Sequence, residues 1–528
     1  MDASNTALTL PSIEPTLAAL RPGQRYVQPR PPGSGDALLL ASLARQARHP
    51  LAAFCADPLA ARRLADEIAL FDPDLRVRFL PDWETLPYDS FSPHQDLISE
   101  RLRTLHALSQ GAVDILVVPV TTALVRLAPP SFLAAYTFQF RQGDALDEER
   151  LRTQLTLANY NHVTQVGAPG EFCIRGGLID LFPMGSALPY LFDREIESIR
   201  SFDGDTQRSL YPVREIELLP GREFPMDEAA RNRFRARFRE VFEGDPSRAL
   251  PYKDIGNGIA FAGIEYYLPL FFEQTATLFD YLPPGTLAVT LGDVPAAITR
   301  FTQDARNRWQ FLKSDPERPV LPPDALFLDD EAFHARLRDL ARLAFTDEGA
   351  HPDFAPCPAA AVNRRADDPL ADLRRHLDAS PLCTALCVDS AGRRETIAEL
   401  LADYRLQPDA IFDSWQDWLH SEARREGHFS LVVAPLTGGC CRKTITPRRT
   451  PAAPHARAAT GTSKAATSTP WCATWPSCTW AIRWCTCSTA SAATTAWSAW
   501  IWAKAPSNCC TWNTPATPPC TCRSRNCI

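Results

Sequence analysis

The chain has 528 residues, 45% of them hydrophobic, which suffices for three or four domains of about 150 residues with cores of their own and excludes disorder throughout. Its net charge of −7 averages two unlike parts: 440–528 carry 10 Lys or Arg and no Asp or Glu, leaving 45 basic against 62 acidic side chains in the rest, a net of −17. No run of about 18 to 20 uncharged apolar residues is present to span a bilayer, and MDASNTALTLPSIEPTLAAL lacks the basic and compact apolar stretches of a secretory signal, so a cytoplasmic protein without a membrane partner is expected.

In chain order, 1–24 are expected to be a flexible N-terminus. From 25 to 135, RPPGSGDALLLASLARQA reads as a Gly-rich turn entering an Ala/Leu-rich helix. LAAFCA, RVRFLP and DILVVPV read as short buried strands, separated by the amphipathic PLAARRLADEIALF and DLISERLRTLHALS. Alternation of this kind predicts a parallel α/β sheet. The texture changes over 136–222 to a helical LDEERLRTQLTLANY followed by strand-rich HVTQVGAPGEFCIRGGLIDLFPMG, PYLFDREIESIRSFD and VREIELLP, an inserted α+β unit. Over 223–335 α/β text returns, prolines and charges over 336–365 mark a linker, and 366–438 form a small α/β domain ending in HFSLVVAPL. The expected fold is therefore multidomain α/β: a split α/β domain, an α+β insertion and a small third domain.

The span 439–528 holds 11 of the 16 cysteines and 8 of the 12 tryptophans. Its cysteine pairs lack the CxxC spacing by which two ligands pre-form half a zinc tetrahedron, and its tryptophans follow neither a helical nor a strand period. No metal site is expected. A third reading is the wrong frame of a GC-rich gene. TWPSCTWAIRWCTC (474–487), back-translated with GC-rich codons and shifted by one nucleotide, becomes DLAELHVGDPVVHV, and 489–494 can be restored to HGIGRY. The span is therefore expected to be an out-of-frame, disordered tail without an evolved fold.

Two places carry residues worth weighing as sites. A phosphate-binding P-loop, GxxxxGK followed by Ser or Thr, needs backbone N–H groups around the phosphates, a Lys on them and a hydroxyl on magnesium. The Gly33–Ser34–Gly35–Asp36–Ala37 segment stands where such a loop belongs, but Asp36 takes the Lys position and Ala37 the hydroxyl position. A carboxylate there repels phosphate, so the loop is degenerate and no ATP or other cofactor is expected. In the insertion, a strand from Gly170 would place Glu171, Cys173 and Arg175 on one face and Phe172 and Ile174 on the other, before a turn at Gly176–Gly177. Arg175 is open to two readings: an interface anchor whose planar fork pairs with carboxylates, or an intradomain ion pair with Glu171 or Asp180. His94 in its Pro-rich turn has no nucleophile or metal partner nearby, and a structural loop with Asp96 near a helix N-terminus is expected there; no catalytic residue is identified. Trp415 and Trp418 are expected to pack one helix face.

LPDWETLPYDSFSPHQDLISERLRTLHAL (80–108) and GEFCIRGGLIDLFPMGS (170–186) resemble the N-terminal part of the bacterial transcription-repair coupling factors, and SFDGDTQRS, AGIEYYLPLFF and AGRRETIAELLADY follow in the family's order. The resemblance implies a UvrB-like module with a degenerate P-loop and an inserted UvrA-binding domain. It further implies that Arg175 and Phe192 match UvrA-contacting positions. About three residues of the family pattern are missing after Tyr190, including a second arginine of that patch, for which Arg194 is a partial substitute. In the full family protein an RNA-polymerase-binding domain and a double-stranded-DNA translocase driven by ATP follow. The chain is thus expected to be a truncated, monomeric, non-enzymatic recruiting module of nucleotide-excision repair. The alternative is an active UvrB-like ATPase or helicase.

Overall fold

The computed structural model describes residues 6–9 and 21–436, apart from 48, 352–353, 357–361, 364–365, 380–382 and 424–426, together with 439–441, 446–449 and 480–483. Strand β1 (Thr6–Thr9) is followed in the first α/β domain by β2 (Arg25–Pro29), β3 (Leu51–Cys55), β4 (Val77–Phe79) and β5 (Ile115–Pro119). Helices Gly35–Gln46, Pro58–Phe71 and Gln95–Ser109 connect the last four of these strands. LAAFC and ILVVP are buried at every position, as strands covered on both faces must be. Helix Pro58–Phe71 starts where Asp57 accepts from the Ala60 N–H at 2.7 Å with Pro58 in the first turn, and it buries Ala61, Leu64, Ala65, Ile68 and Phe71 along one stripe.

The insertion contributes β6 (Phe138–Arg141), β7 (Asn161–His162), β8 (Glu171–Arg175), β9 (Leu178–Phe182), β10 (Tyr190–Asp193), β11 (Ile199–Phe202), β12 (Ser209–Val213) and β13 (Glu215–Leu218). Strands β6 and β13 pair antiparallel where the chain leaves and returns, Phe138 opposite Leu218. The others form a sheet ordered β12-β11-β10-β9-β8-β7. The chain then re-enters the first domain. There β14 (Leu287–Leu291) lies parallel to β3, Leu287 opposite Leu51, and β15 (Ala341–Thr346) lies between β14 and β2. The completed sheet is all parallel, ordered β2-β15-β14-β3-β5-β4.

Two expectations on organisation change here. The span 336–365 is not only a linker, because β15 belongs to the central sheet: ARLAFT buries alternate residues, and its neighbours on both sides supply ladder partners that its flanking charges and prolines do not reveal. Within 1–24, Thr6–Thr9 is a strand paired with Thr446–Arg449. In 439–528, three short segments are paired: β20 (Gly439–Cys441) and β22 (Trp480–Arg483) join the third domain's sheet, and β21 (Thr446–Arg449) pairs with β1. Ladder bonds use N–H and C=O groups common to nearly every residue, so pairing there asks little of side-chain identity. The rest of that span lies outside the described residues.

The third domain's sheet is ordered β16-β20-β22-β17-β19-β18, with β16 at Phe354–Ala355, β17 at Thr384–Val388, β18 at Ala410–Phe412 and β19 at Phe429–Val433. Alternate residues of β3 feed two cores. Ala52 and Phe54 join the large core shared with the insertion and the returning chain, whereas Leu51, Ala53 and Cys55 join a second core with helix Gly35–Gln46 and the third domain's Ala385, Trp415, Trp418 and Val432. Both tryptophans are buried, with rings 4.8 Å apart and Trp415 edge-on to Phe71 at 5.5 Å. They pack one helix face, and that face fastens the third domain to the first.

Candidate partner-binding site on the inserted domain

Strand alternation and pairing register place each side chain of the insertion. In β8 and β9, Arg175 stands opposite Leu178 and Cys173 opposite Asp180; in β10, Leu191 stands opposite Asp180 and also opposite Arg200 of β11. Directly opposed residues share a face, so one face carries Arg175, Leu178, Asp180, Leu191 and Arg200. The other carries Phe172, Ile174, Ile179, Leu181 and Phe192. Gly176 and Gly177, at φ 57° and 96°, form the two-residue turn between β8 and β9, a conformation with two positive φ angles that favours glycine at both positions.

Arg175 therefore sits at the tip of a rigid hairpin with its side chain 60% exposed, and it forms an ion pair with the buried Asp180. That hydrogen bond raises the Arg175 pKa above its ordinary value. The intradomain pairing is thus present, and it leaves the interface reading open, because Asp180 holds one edge of the guanidinium and leaves the rest to solvent. Leu178 is half exposed beside it. Across the same face, Arg200 is exposed and makes no side-chain hydrogen bond or ion pair among the described residues. Sequence reasoning missed Arg200. The signal was present in IRSF, where the arginine alternates with the buried Ile199 and Ser201, but the face it occupies depends on the β10–β11 register.

Phe192 does not lie in this patch. It is buried on the opposite face, 6.1 Å from the Phe140 ring, because it stands opposite Ile179 on the core side of the sheet. Arg194 also departs from the patch: it pairs with Glu148, the first residue of helix Glu148–Leu157, and its carbonyl accepts from Leu146 N–H at 2.7 Å.

The degenerate loop is brought together as a closed ionic cluster. Asp36 is fully buried and accepts from Arg30 at 2.7 Å and Arg63 at 2.9 Å; Arg63 also pairs with buried Glu67 at 2.5 Å, and Ser34 Oγ donates to Glu67 at 2.8 Å. Burial opposes the charge on Arg63, but Asp36 and Glu67 outweigh it and its pKa is raised. Gly33 has φ 57°. A Cβ on Gly35 would come within 2.7 Å of the Phe354 ring, so an aromatic from the expected linker lies over the loop, and Ala37 is buried behind it. Nearby, burial first and Asp36 second push the Cys55 thiol up to about 12.

The long motif at residues 80–108 is structural. Trp83 Nε1 donates to Glu223 at 3.2 Å and Arg101 Nε donates to the same carboxylate at 2.6 Å, fastening 80–92 and helix Gln95–Ser109 to the point where the chain returns from the insertion. His94 caps that helix, its Nδ1 accepting from Asp96 N–H at 3.3 Å. Ser92 Oγ donates to buried Glu265 at 2.9 Å.

Comparison with known proteins places these features in a family. Residues 138–224 match the UvrB interaction domain and 377–447 match the MFD D3 domain. The chain is 41% identical over 417 residues to the transcription-repair-coupling factor of Escherichia coli K12, an alignment covering 77% of this chain and 36% of the relative. The chain belongs to the transcription-repair-coupling factors. The Haemophilus influenzae protein of the same name is 39% identical over 422 residues, again 77% of this chain and 36% of the relative, and that of Bacillus subtilis 27% over 274 residues, 49% and 23%. The chain thus spans about a third of the length of the curated relatives it matches most extensively. The UvrB interaction match coincides with the segment bounded by β6 and β13, and Arg175 and Arg200 lie within it. Among the described residues no helix is long and apolar enough to cross a membrane, and no group of three His, Cys, Asp or Glu is placed to hold a metal ion.

Proposed function

We propose that the inserted domain recruits UvrA in transcription-coupled nucleotide-excision repair, through the face that presents Arg175, Leu178 and Arg200. The observation that carries this is Arg175 at the end of a glycine hairpin, exposed and held in one orientation by Asp180, inside the segment matching the UvrB interaction domain. A planar guanidinium pre-oriented by one carboxylate loses little freedom on meeting a second, and Arg200 supplies positive charge where the family pattern is short after Tyr190. In a pull-down or calorimetric titration with UvrA, Arg175→Ala is expected to weaken binding at least tenfold. Equal binding removes Arg175 from the site.

On this reading the chain acts without catalysis and without a nucleotide. What supports this is Asp36, paired with Arg30 and Arg63 where a P-loop would carry its lysine, and the Phe354 ring close against Gly35. RNA polymerase and double-stranded DNA are then partners of parts of the family protein other than this chain. An ATPase assay with DNA tests the helicase alternative: phosphate release above background overturns the non-enzymatic reading. We also retain the frame slip after about Gly439 as a proposal, which the DNA sequence across the Gly438 and Gly439 codons decides.

A further inference from the structure

A polar cleft of about 600 Å³ lies between the first α/β domain and the insertion, lined among others by Arg78, Arg103, His106, Gln139, Ser186 and Tyr190. Its volume is in the range of small-molecule sites. Arg78 projects from β4 at the sheet edge and Arg103 from helix Gln95–Ser109. Neither has a carboxylate partner among the described residues. Among the described residues Arg78 has only its neighbour's carbonyl, Val77 O at 3.4 Å, and its buried Nε has no hydrogen-bond partner. Arg103 is exposed and makes no side-chain hydrogen bond or ion pair among the described residues. Burial, then Arg103, lower the Arg78 pKa.

Several other arginines of this domain are neutralised within the fold. Arg30, Arg45, Arg62, Arg63, Arg76 and Arg101 each pair with a carboxylate. The two acids that line the cleft are already engaged: Glu217 with His106 at 3.0 Å and Glu215 with Arg141 at 3.1 Å. Two like charges that repel one another across a partly desolvated cleft call for a single compact group carrying about two negative charges, which a phosphoryl group supplies and a lone carboxylate does not.

We propose that this cleft is a binding site for a small, multiply charged phosphoryl anion, clamped by Arg78 from the first domain and Arg103 from its helix, at the seam with the insertion. The site is separate from the Arg175 face and does not depend on UvrA recruitment. The test is a calorimetric titration of the full chain with inorganic pyrophosphate at constant ionic strength. Saturable binding is expected, weakened tenfold or more by Arg103→Gln, a change at an exposed side chain without partners that leaves folding intact, and likewise by Arg78→Gln, with Arg175→Ala binding as the parent does. No binding by the parent, or unchanged affinity in Arg103→Gln, overturns the proposal. Citrate binding as tightly as pyrophosphate overturns the phosphoryl assignment.

Discussion

Arg30 and Arg63 beside the degenerate loop and Arg175 and Arg200 on the inserted sheet are the same side chain in opposite circumstances. The first pair meets carboxylates that are themselves buried, so its charge is cancelled within the fold. The second pair lies on a face where one guanidinium is only half engaged and the other is not engaged at all among the described residues. A buried charge is tolerated only when paired, whereas an exposed one needs no partner to be stable. The first region is thus committed to holding the domain together and the second is left able to bind.

Four measurements break or sharpen this contrast. Asp36→Ala leaves two guanidiniums without their shared acceptor, and a loss of about 3–5 kcal/mol is expected in denaturant unfolding; a loss below about 1 kcal/mol would show that the loop cluster is no more structural than the exposed face. Phe192→Ala removes a buried ring and is expected to cost about 3–5 kcal/mol, with UvrA binding per folded molecule unchanged. If it instead unfolds like the parent but fails to bind, the register assigned to β10 is wrong.

The third concerns Glu265, whose pKa burial raises from the ordinary 4.5 to about 7. Between those values the unfolded chain ionises while the folded chain keeps its proton, so stability falls with rising pH across that window, by about 3 kcal/mol in all, and is flat on either side. Glu265→Gln is expected to remove that slope in unfolding measured from pH 4.5 to 8. An unchanged slope assigns it to other groups. The smallest effect is expected from Arg194→Ala, which breaks an exposed pair with Glu148: under about 1 kcal/mol in stability and no change in UvrA affinity, whereas a tenfold loss would return Arg194 to the binding face.

Much of the fold was legible because its elements announce themselves locally. LAAFC and ILVVP are continuous apolar runs, the pattern of strands covered on both sides, and the stripe of PLAARRLADEIALF has a helical period. By contrast, ARLAFT sits among prolines and charges, and only its neighbours β2 and β14 make it a sheet strand.

The sequence by itself determined the alternation, the insertion and Arg175 as an arginine ahead of a glycine turn. Tertiary structure decided which face each inserted residue occupies, sending Phe192 into the core and Arg200 out beside Leu191. It also decided that Arg30 and Arg63 would be neutralised while Arg78 and Arg103 meet no carboxylate among the described residues. The physical reason is common to both: strand faces and ion pairs are set by partners far away in the chain, and a local pattern records that a residue is charged or apolar without recording what it will meet.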